Sequence, residues 1–291
     1  MSESFDVLEP RIDLGQWVED AFDWFTETFE VVLDGIDTGL GWAYETLLSG
    51  LNAPPFLVMI AIFGALGWLA RSWQFAIFAV LGFYLIAGMD QWEGAMQTLS
   101  LVLISAAVAV ILAVPIGILA AKSQPVSNVV RPVLDFMQTL PPMVYLIPAL
   151  AAFGIGEVPG IIATVVFAMP PGVRLTELAI RQVDAEVVEA GQAFGSPPGR
   201  ILRQIQLPLA LPTIMAGINQ VIMLALSMVV LAAMVGAEGL GLDVLSGLSS
   251  LNVALGVEAG VSVVIIAIYL DRIVAALADR APVVKAAKVR D

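Results

Sequence analysis

An all-α polytopic membrane protein is the fold class the sequence predicts, and three observations carry it. Of the 291 residues, 59% are hydrophobic and 13% charged, and the mean hydropathy is +0.92, far above that of a water-soluble domain. Apolar stretches of the ~17–25 residues that cross a bilayer core of roughly 30 Å as helices recur along the chain. Cysteine and histidine are both absent, which removes disulfides, thiol chemistry, haem ligation by either residue and the usual zinc sites. Catalysis by the chain itself is thereby disfavoured, and no metal site is expected.

Residues 1–54 form an acidic tail. They hold 12 acids and one base, Arg11, whereas the other 237 residues carry 14 acids and 12 bases. The net charge of −13 therefore belongs to the tail and points to no nucleic acid. Within it, Phe22, Phe25, Phe29, Val32, Leu33, Ile36 and Leu40 recur at three- and four-residue spacing with acids opposite, the pattern of an amphipathic helix. Such a helix rests on lipid headgroups or docks a partner subunit. No basic n-region precedes the first apolar run, so no cleaved signal peptide is expected.

Seven apolar runs follow, at about 55–71, 73–89, 95–121, 132–152, 158–178, 207–234 and 255–278. The first two fill residues 55–94 and are short; they form two spans, or a re-entrant hairpin turning at Arg71-Ser72. The remaining five make a core over 95–280, and residues 281–291 are a terminal tail. Lysine and arginine set the orientation, because positive residues in short loops stay cytoplasmic. With the N-terminus outside, Arg71, Lys122, Arg131, Arg174, Arg181, Arg200, Arg203, Arg272, Arg280, Lys285, Lys288 and Arg290 all fall inside, while Asp90, Glu93, Glu157, Glu238 and Asp243 fall outside. The loop at about 180–206 is then cytoplasmic, as is the C-terminus, and the chain is multi-pass in the cell (inner/cytoplasmic) membrane.

That loop has a designed look. Val183, Val187, Ala190 and Phe194 share one helical face, with Asp184, Glu186 and Gln192 elsewhere. Gly195 suits the left-handed residue that ends a helix. Ser196 suits the N-cap, and Pro197 the first position, of a second helix running through Ile201 and Ile205 toward Pro208. A stiff helix-glycine-helix elbow results, with an apolar stripe that needs a partner.

The segment resembles the EAA loop of ABC-transporter permeases: Glu189, Ala190, Gly195, Ile205, Leu207 and Pro208 stand at the motif's positions, with Gly191 replacing its second alanine. The likeness extends to MQTLPPMVYLIP (137–148), FGIGEVPG (153–160), FAMPPGVRLT (167–176), LPLALPTIMAGINQ (207–220) and LALSMVVLAAMVGAEGLG (224–241), which are similar to permeases of glycine betaine/proline betaine importers. About half the chain, within residues 130–280, is covered closely. The resemblance implies the five-helix type I importer permease core, here preceded by two extra helices and the amphipathic tail. It also implies an elbow that seats in a separate ATPase, with Val187, Glu189, Ala190 and Phe194 docking, Gly195 turning, and Arg200 and Arg203 meeting acidic ATPase residues or lipid phosphate.

No G-x-x-x-x-G-K-[ST] phosphate loop is present. ATP and Mg are therefore expected on partner ATPase subunits, with no cofactor on this chain. A separate extracytoplasmic solute-binding protein and a second permease copy, forming a homodimer, complete the expected assembly. For a quaternary ammonium cargo, which aromatic faces hold well, the candidate pathway residues are Phe136, Gln138 and Tyr145, then Asn219, Gln220, Met223, Ser227 and Met228. Asn219 and Gln220 could equally join helices by hydrogen bonds, and Tyr145 could be packing. Asp135 and Glu177 read as interfacial residues near helix ends. Pro141-Pro142, Pro148 and Pro170-Pro171 are places where spans break or bend, whereas Pro208 and Pro212 read as helix initiation. The same machinery importing choline, carnitine or another small amino-acid-like solute is the near alternative, and a passive osmotic channel or membrane sensor the distant one.

Overall fold

A computed structural model describes residues 13–279, so Arg11, Arg280, Lys285, Lys288 and Arg290, and with them the terminal tail at 281–291, lie outside the described residues. The acidic segment folds as two helices, α1 (Leu14–Thr28) and α2 (Glu30–Asn52), parted at Phe29. Phe25 and Phe29 meet across the break at a tilt of 39°, with ring centroids 5.0 Å apart. At Ala53-Pro54-Pro55 the chain turns by 101° into α3 (Phe56–Ala70), as expected where proline removes backbone donors and disfavours helix before it. Ser72 Oγ accepts from the Phe75 N–H at 3.3 Å, capping α4 (Trp73–Gly88). Helices α3 and α4 form a hairpin of 15 and 16 residues. Its aromatic face packs Phe63, Phe75 and Phe83 around Tyr269, whose hydroxyl donates to the Phe63 carbonyl at 3.1 Å.

The centre of the molecule is α5 (Trp92–Lys122), α8 (Glu157–Arg181) and α11 (Leu207–Ala232), with α8 lodged between the other two. Small residues permit this. A Cβ on Gly117 would lie 2.7 Å from the Val173 carbonyl oxygen and 2.6 Å from Thr176 Cβ, and one on Gly172 would touch both Ala113 and Val221 at 3.0 Å. Apolar chains gain nothing from lipid by clustering, so close backbone approach of this kind supplies the van der Waals contact that holds membrane helices together. Pro170 and Pro171 are buried inside α8 without ending it, so the span is not broken there: packing on both sides overrides the local preference.

The span anticipated at 132–152 is two pieces. Helix α6 (Gln124–Thr139) stops before Pro141-Pro142, a 3₁₀ turn covers Pro142–Tyr145, and α7 (Leu146–Phe153) leaves at 108°. The five core elements otherwise follow the anticipated order, ending with α13 (Val253–Asp279). Before it lies α12 (Leu240–Ser249), a short helix the hydropathy pattern did not reveal. Its start is tied to α5, where Thr98 Oγ accepts from the Leu240 N–H at 2.9 Å. Gly239, at φ +114°, brings the backbone there, and a Cβ would lie 2.7 Å from that hydroxyl.

Among the described residues, α5, α8, the run Pro198–Val235 and α13 are each long and apolar enough to cross a membrane, and the bent pairs α2–α3 and α6–α7 would raise the number to six. Replacing Gly117 by leucine is expected to destabilise the bundle by about 1–3 kcal/mol through overpacking. Gly260→Leu, where an added Cβ meets nothing within 4 Å, is expected to leave thermal unfolding in detergent unchanged.

Candidate functional site

Two features stand out at the end of the bundle where α8 emerges. The first is the elbow. Asp184 Oδ1 accepts from the Glu186 N–H at 2.9 Å and starts α9 (Ala185–Ala193). The helix closes with paired terminal bonds, Gly195 N–H to the Gln192 carbonyl at 2.8 Å and Ser196 N–H to the Gly191 carbonyl at 3.1 Å, around Gly195 at φ +74°. This is the glycine-terminated motif the sequence predicts. Ser196 closes α9 with its N–H, and the next helix, α10 (Pro198–Ile201), is entered through Pro197, one residue later than anticipated and without a side-chain cap.

The chain does not restart at Pro208. From α10 a single π turn, Leu202–Gln206, runs straight into α11, and Pro212 lies inside that helix. Helix initiation is therefore the wrong account of these prolines. Pro208 has no N–H to give the carbonyl four residues back and its ring crowds that carbonyl; a widened turn just before it relieves the clash.

The arms of the elbow meet at Gly191, where a Cβ would sit 2.8 Å from Ile205 Cδ1. The departure from alanine thus coincides with the closest approach of the arms. Val188 and Gly191 face inward, and Val183 packs on the core below. Val187, Glu189, Ala190, Phe194 and Gly195 are exposed, Phe194 at 90%. Arg200 and Arg203 are exposed as well, while Ile205, Leu207 and Pro208 are partly covered. With Lys122, the two arginines border a cavity of about 520 Å³, and none of the three makes an ion pair among the described residues.

The second feature escaped the sequence reading. Glu177 is buried, not interfacial: its side chain is 3% exposed, and Oε1 receives Ser127 Oγ at 2.8 Å, Arg131 Nη2 at 2.9 Å and Arg181 Nε at 2.9 Å. Asp135 pairs with Arg174 nearby and is exposed. A signal was available in the helical spacing of Gln124, Ser127, Arg131 and Asp135, opposite Arg174, Glu177 and Arg181.

The candidate pathway residues divide. Gln220, Met223 and Ser227 share an exposed stripe of α11, with Ser227 Oγ donating to the Met223 carbonyl at 3.0 Å. Phe136 and Gln138 are exposed on α6. Met228 is buried among Leu146, Ala149 and Ala163. Asn219 Nδ2 donates to Asp271 Oδ1 at 2.9 Å, joining α11 to α13. Tyr145 donates its hydroxyl to the Met137 carbonyl and rests on Phe167, so it clasps the break between α6 and α7.

Comparison with known proteins bears on this arrangement. A family model described as "Binding-protein-dependent transport system inner membrane component" matches residues 113–281. The chain is 49% identical over 264 residues to the glycine betaine transport system permease protein OpuAB of Bacillus subtilis (strain 168), covering 91% of this chain and 94% of that one. It is 46% identical over 281 residues to the glycine betaine/carnitine transport permease protein GbuB of Listeria monocytogenes serotype 1/2a (strain 10403S), covering 94% and 98%. Its fold is similar to that in inward-facing conformations of the MetNI methionine ABC transporter, at a TM-score of 0.55 and 21% identity, covering 65% of this chain and 92% of that one.

Gly195→Ala puts a Cβ into the left-handed region at a cost of about 1–2 kcal/mol, and is expected to speed amide hydrogen exchange across residues 185–193. Ser196→Ala is expected to stay within about 0.5 kcal/mol, because only the serine backbone is used; a loss near 1 kcal/mol, typical of a removed N-cap, would contradict the observed ending of α9.

Proposed function

Because the chain belongs to the family of binding-protein-dependent transport system inner membrane components, we propose that it is the permease through which an ATP-driven importer moves glycine betaine and proline betaine-type osmoprotectants. Membership makes it a multi-pass subunit of an ABC importer and implies ATPase and binding-protein partners. It performs no chemistry on the solute.

The observation that carries the mechanism is the exposed apolar face of the elbow. Val187, Ala190 and Phe194 stand free on a helix whose other face is already packed. An aromatic side chain 90% exposed at the tip of a braced helix is a strong anchor for a partner pocket. In our reading that partner is the ATPase, which carries ATP and Mg, and the elbow is the lever by which its closure reaches the membrane helices. Arg200, Arg203 and Lys122, without acidic partners among the described residues, meet carboxylates of the ATPase or phosphates of the lipid. This places the elbow in the cytoplasm, the acidic N-terminal helices outside and the C-terminus inside, in the cytoplasmic membrane.

A homodimer follows from the same reading. Five core elements make half a pathway, and the exposed stripe of Gln220, Met223 and Ser227, with Phe136 and Gln138, is the surface each copy turns toward the solute. A permanently charged trimethylammonium group donates no hydrogen bonds and is held by aromatic faces and modest polarity. Asn219, Tyr145 and Met228 serve the protein's own packing and are not contacts in this pathway.

Reconstituted with its ATPase and binding protein, the chain is expected to take up labelled glycine betaine only with ATP, in preference to carnitine, choline and proline. Uptake of no quaternary amine would refute the cargo, and uptake without nucleotide would favour a channel. Phe194→Ala is expected to weaken ATPase docking by about tenfold or more, as loss of an aromatic hot spot does. The sequence has no cysteine, so Glu189→Cys offers a single crosslinking handle, expected to capture the ATPase.

A further inference from the structure

Between α6 and the second half of α8 the structure holds a ladder of polar contacts that the transport reading above does not use. At its foot Arg181 donates to the Ala120 carbonyl at 2.9 Å and to Gln124 Oε1 at 3.1 Å, binding the end of α5 and the start of α6. One turn along, Ser127 and Arg131 converge on Glu177. One turn further, Arg174 pairs with Asp135. Partners ascend α6 as they descend α8, so the two helices lie antiparallel along the ladder. Of the sixteen residues of α6 only Ser127 and Leu134 are buried, and the helix's apolar hold is a small one, Leu134 with the partly buried Val130 and Met137 against Ala113 and Val173.

The ladder joins two parts with different tasks. Helix α8 is clamped between α5 and α11 by glycine contacts and leads, three residues after Arg181, into the elbow helix α9. Helix α6 leads into the break at Leu140-Pro141, clasped by Tyr145, and carries Phe136 and Gln138. A buried carboxylate with three donors on one oxygen resists gradual sliding, because each intermediate register would strip it of Ser127 and Arg131 of α6 and leave only Arg181 of its own helix to pair it. Motion of α8 must therefore drag α6 with it or re-pair the ladder in one discrete step. The asymmetry of exposure fits: Glu177 is 3% exposed and Arg131 56%, so the carboxylate is the fixed member and the guanidinium the one free to change partners.

We propose that this ladder, with Glu177 as its buried hub, is the linkage that carries movement of the elbow to the broken helix α6–α7, which makes Glu177 a positioning residue for transport. The proposal rests on the elbow being the ATPase-coupled lever. It also gives the buried charge a purpose, since a well-packed apolar residue at that place would hold the helices without fixing their register.

The test uses the full complex of permease, ATPase and binding protein in lipid nanodiscs. Spin labels at Thr139→Cys on α6 and Ala216→Cys on α11, both exposed, report the distance between the helices with and without trapping by ATP and vanadate. With Glu177 intact, trapping is expected to shift that distance. In Glu177→Gln, trapping and the Glu189→Cys crosslink are expected to persist while the distance shift disappears, ATP-driven uptake falls by about tenfold, the scale of a typical coupling free energy, and ATP hydrolysed per solute rises. Arg131→Gln alters the exposed partner, keeps the complex testable if Glu177→Gln fails to assemble, and is expected to show the same uncoupling. An unchanged distance shift with unchanged uptake in either variant overturns the linkage. Failure of the Glu189→Cys crosslink with Glu177 intact overturns the elbow reading, and this proposal with it.

Discussion

Close approach of backbones around α8 is the constraint on which the rest of this structure depends. In a bilayer no hydrophobic force gathers apolar helices, so contact must come from surfaces that fit. Here the fit is made by residues without side-chain bulk: Gly117 against Val173 and Thr176, Gly172 between Ala113 and Val221, Gly160 beside Ala232 and Ala237, and Gly217 against Leu175. With α8 wedged between α5 and α11, two prolines in its middle are accommodated without a break. The same wedging packs the length of α8 from whose end the elbow projects.

Polar groups are placed where they brace this apolar frame. Thr98 holds the start of α12, Asn219 reaches Asp271 across two helices, and the Tyr269 hydroxyl ties α13 to the α3–α4 hairpin. Each closes a contact between elements far apart in sequence, and each donor finds an acceptor where water is scarce. Glu177 is the most demanding case, a buried charge paired with two arginines and hydrogen-bonded by a serine. Around the periphery the chain bends where proline permits: at Pro54-Pro55, where the acidic helices turn into the bundle, and at Pro141-Pro142, where α6 gives way to α7.

Much of the elbow was legible in the sequence because its signals are local. Gly195 and the periodic apolar residues before it act within a few residues of chain, so the elbow could be placed from them, whereas the cap at Asp184 is seen only in the structure. Gln220, Met223 and Ser227 were candidates by residue type alongside Asn219 and Met228, and only the structure separates them as one exposed stripe. What failed were readings that depend on how neighbouring elements join. Ser196 looked like the N-cap of a helix, but it closes the preceding one and the cap position falls to Pro197. Pro208 looked like an initiator, but a π turn carried the helix through it. Asp135 and Glu177 looked alike in sequence, yet one is exposed and the other buried.

The sequence by itself determined the membrane class, the order of the core elements, the turn chemistry of the elbow and the family. Hydropathy, cap residues and motif spacing are properties of short windows, and short windows are what a linear chain displays. Only the tertiary structure decided that Glu177 meets Ser127 from 50 residues away, that Tyr145 clasps a broken helix, that α12 exists and that Phe194 is left uncovered. Those outcomes depend on which helix faces abut and at what height, and helical periodicity marks a face without naming its partner.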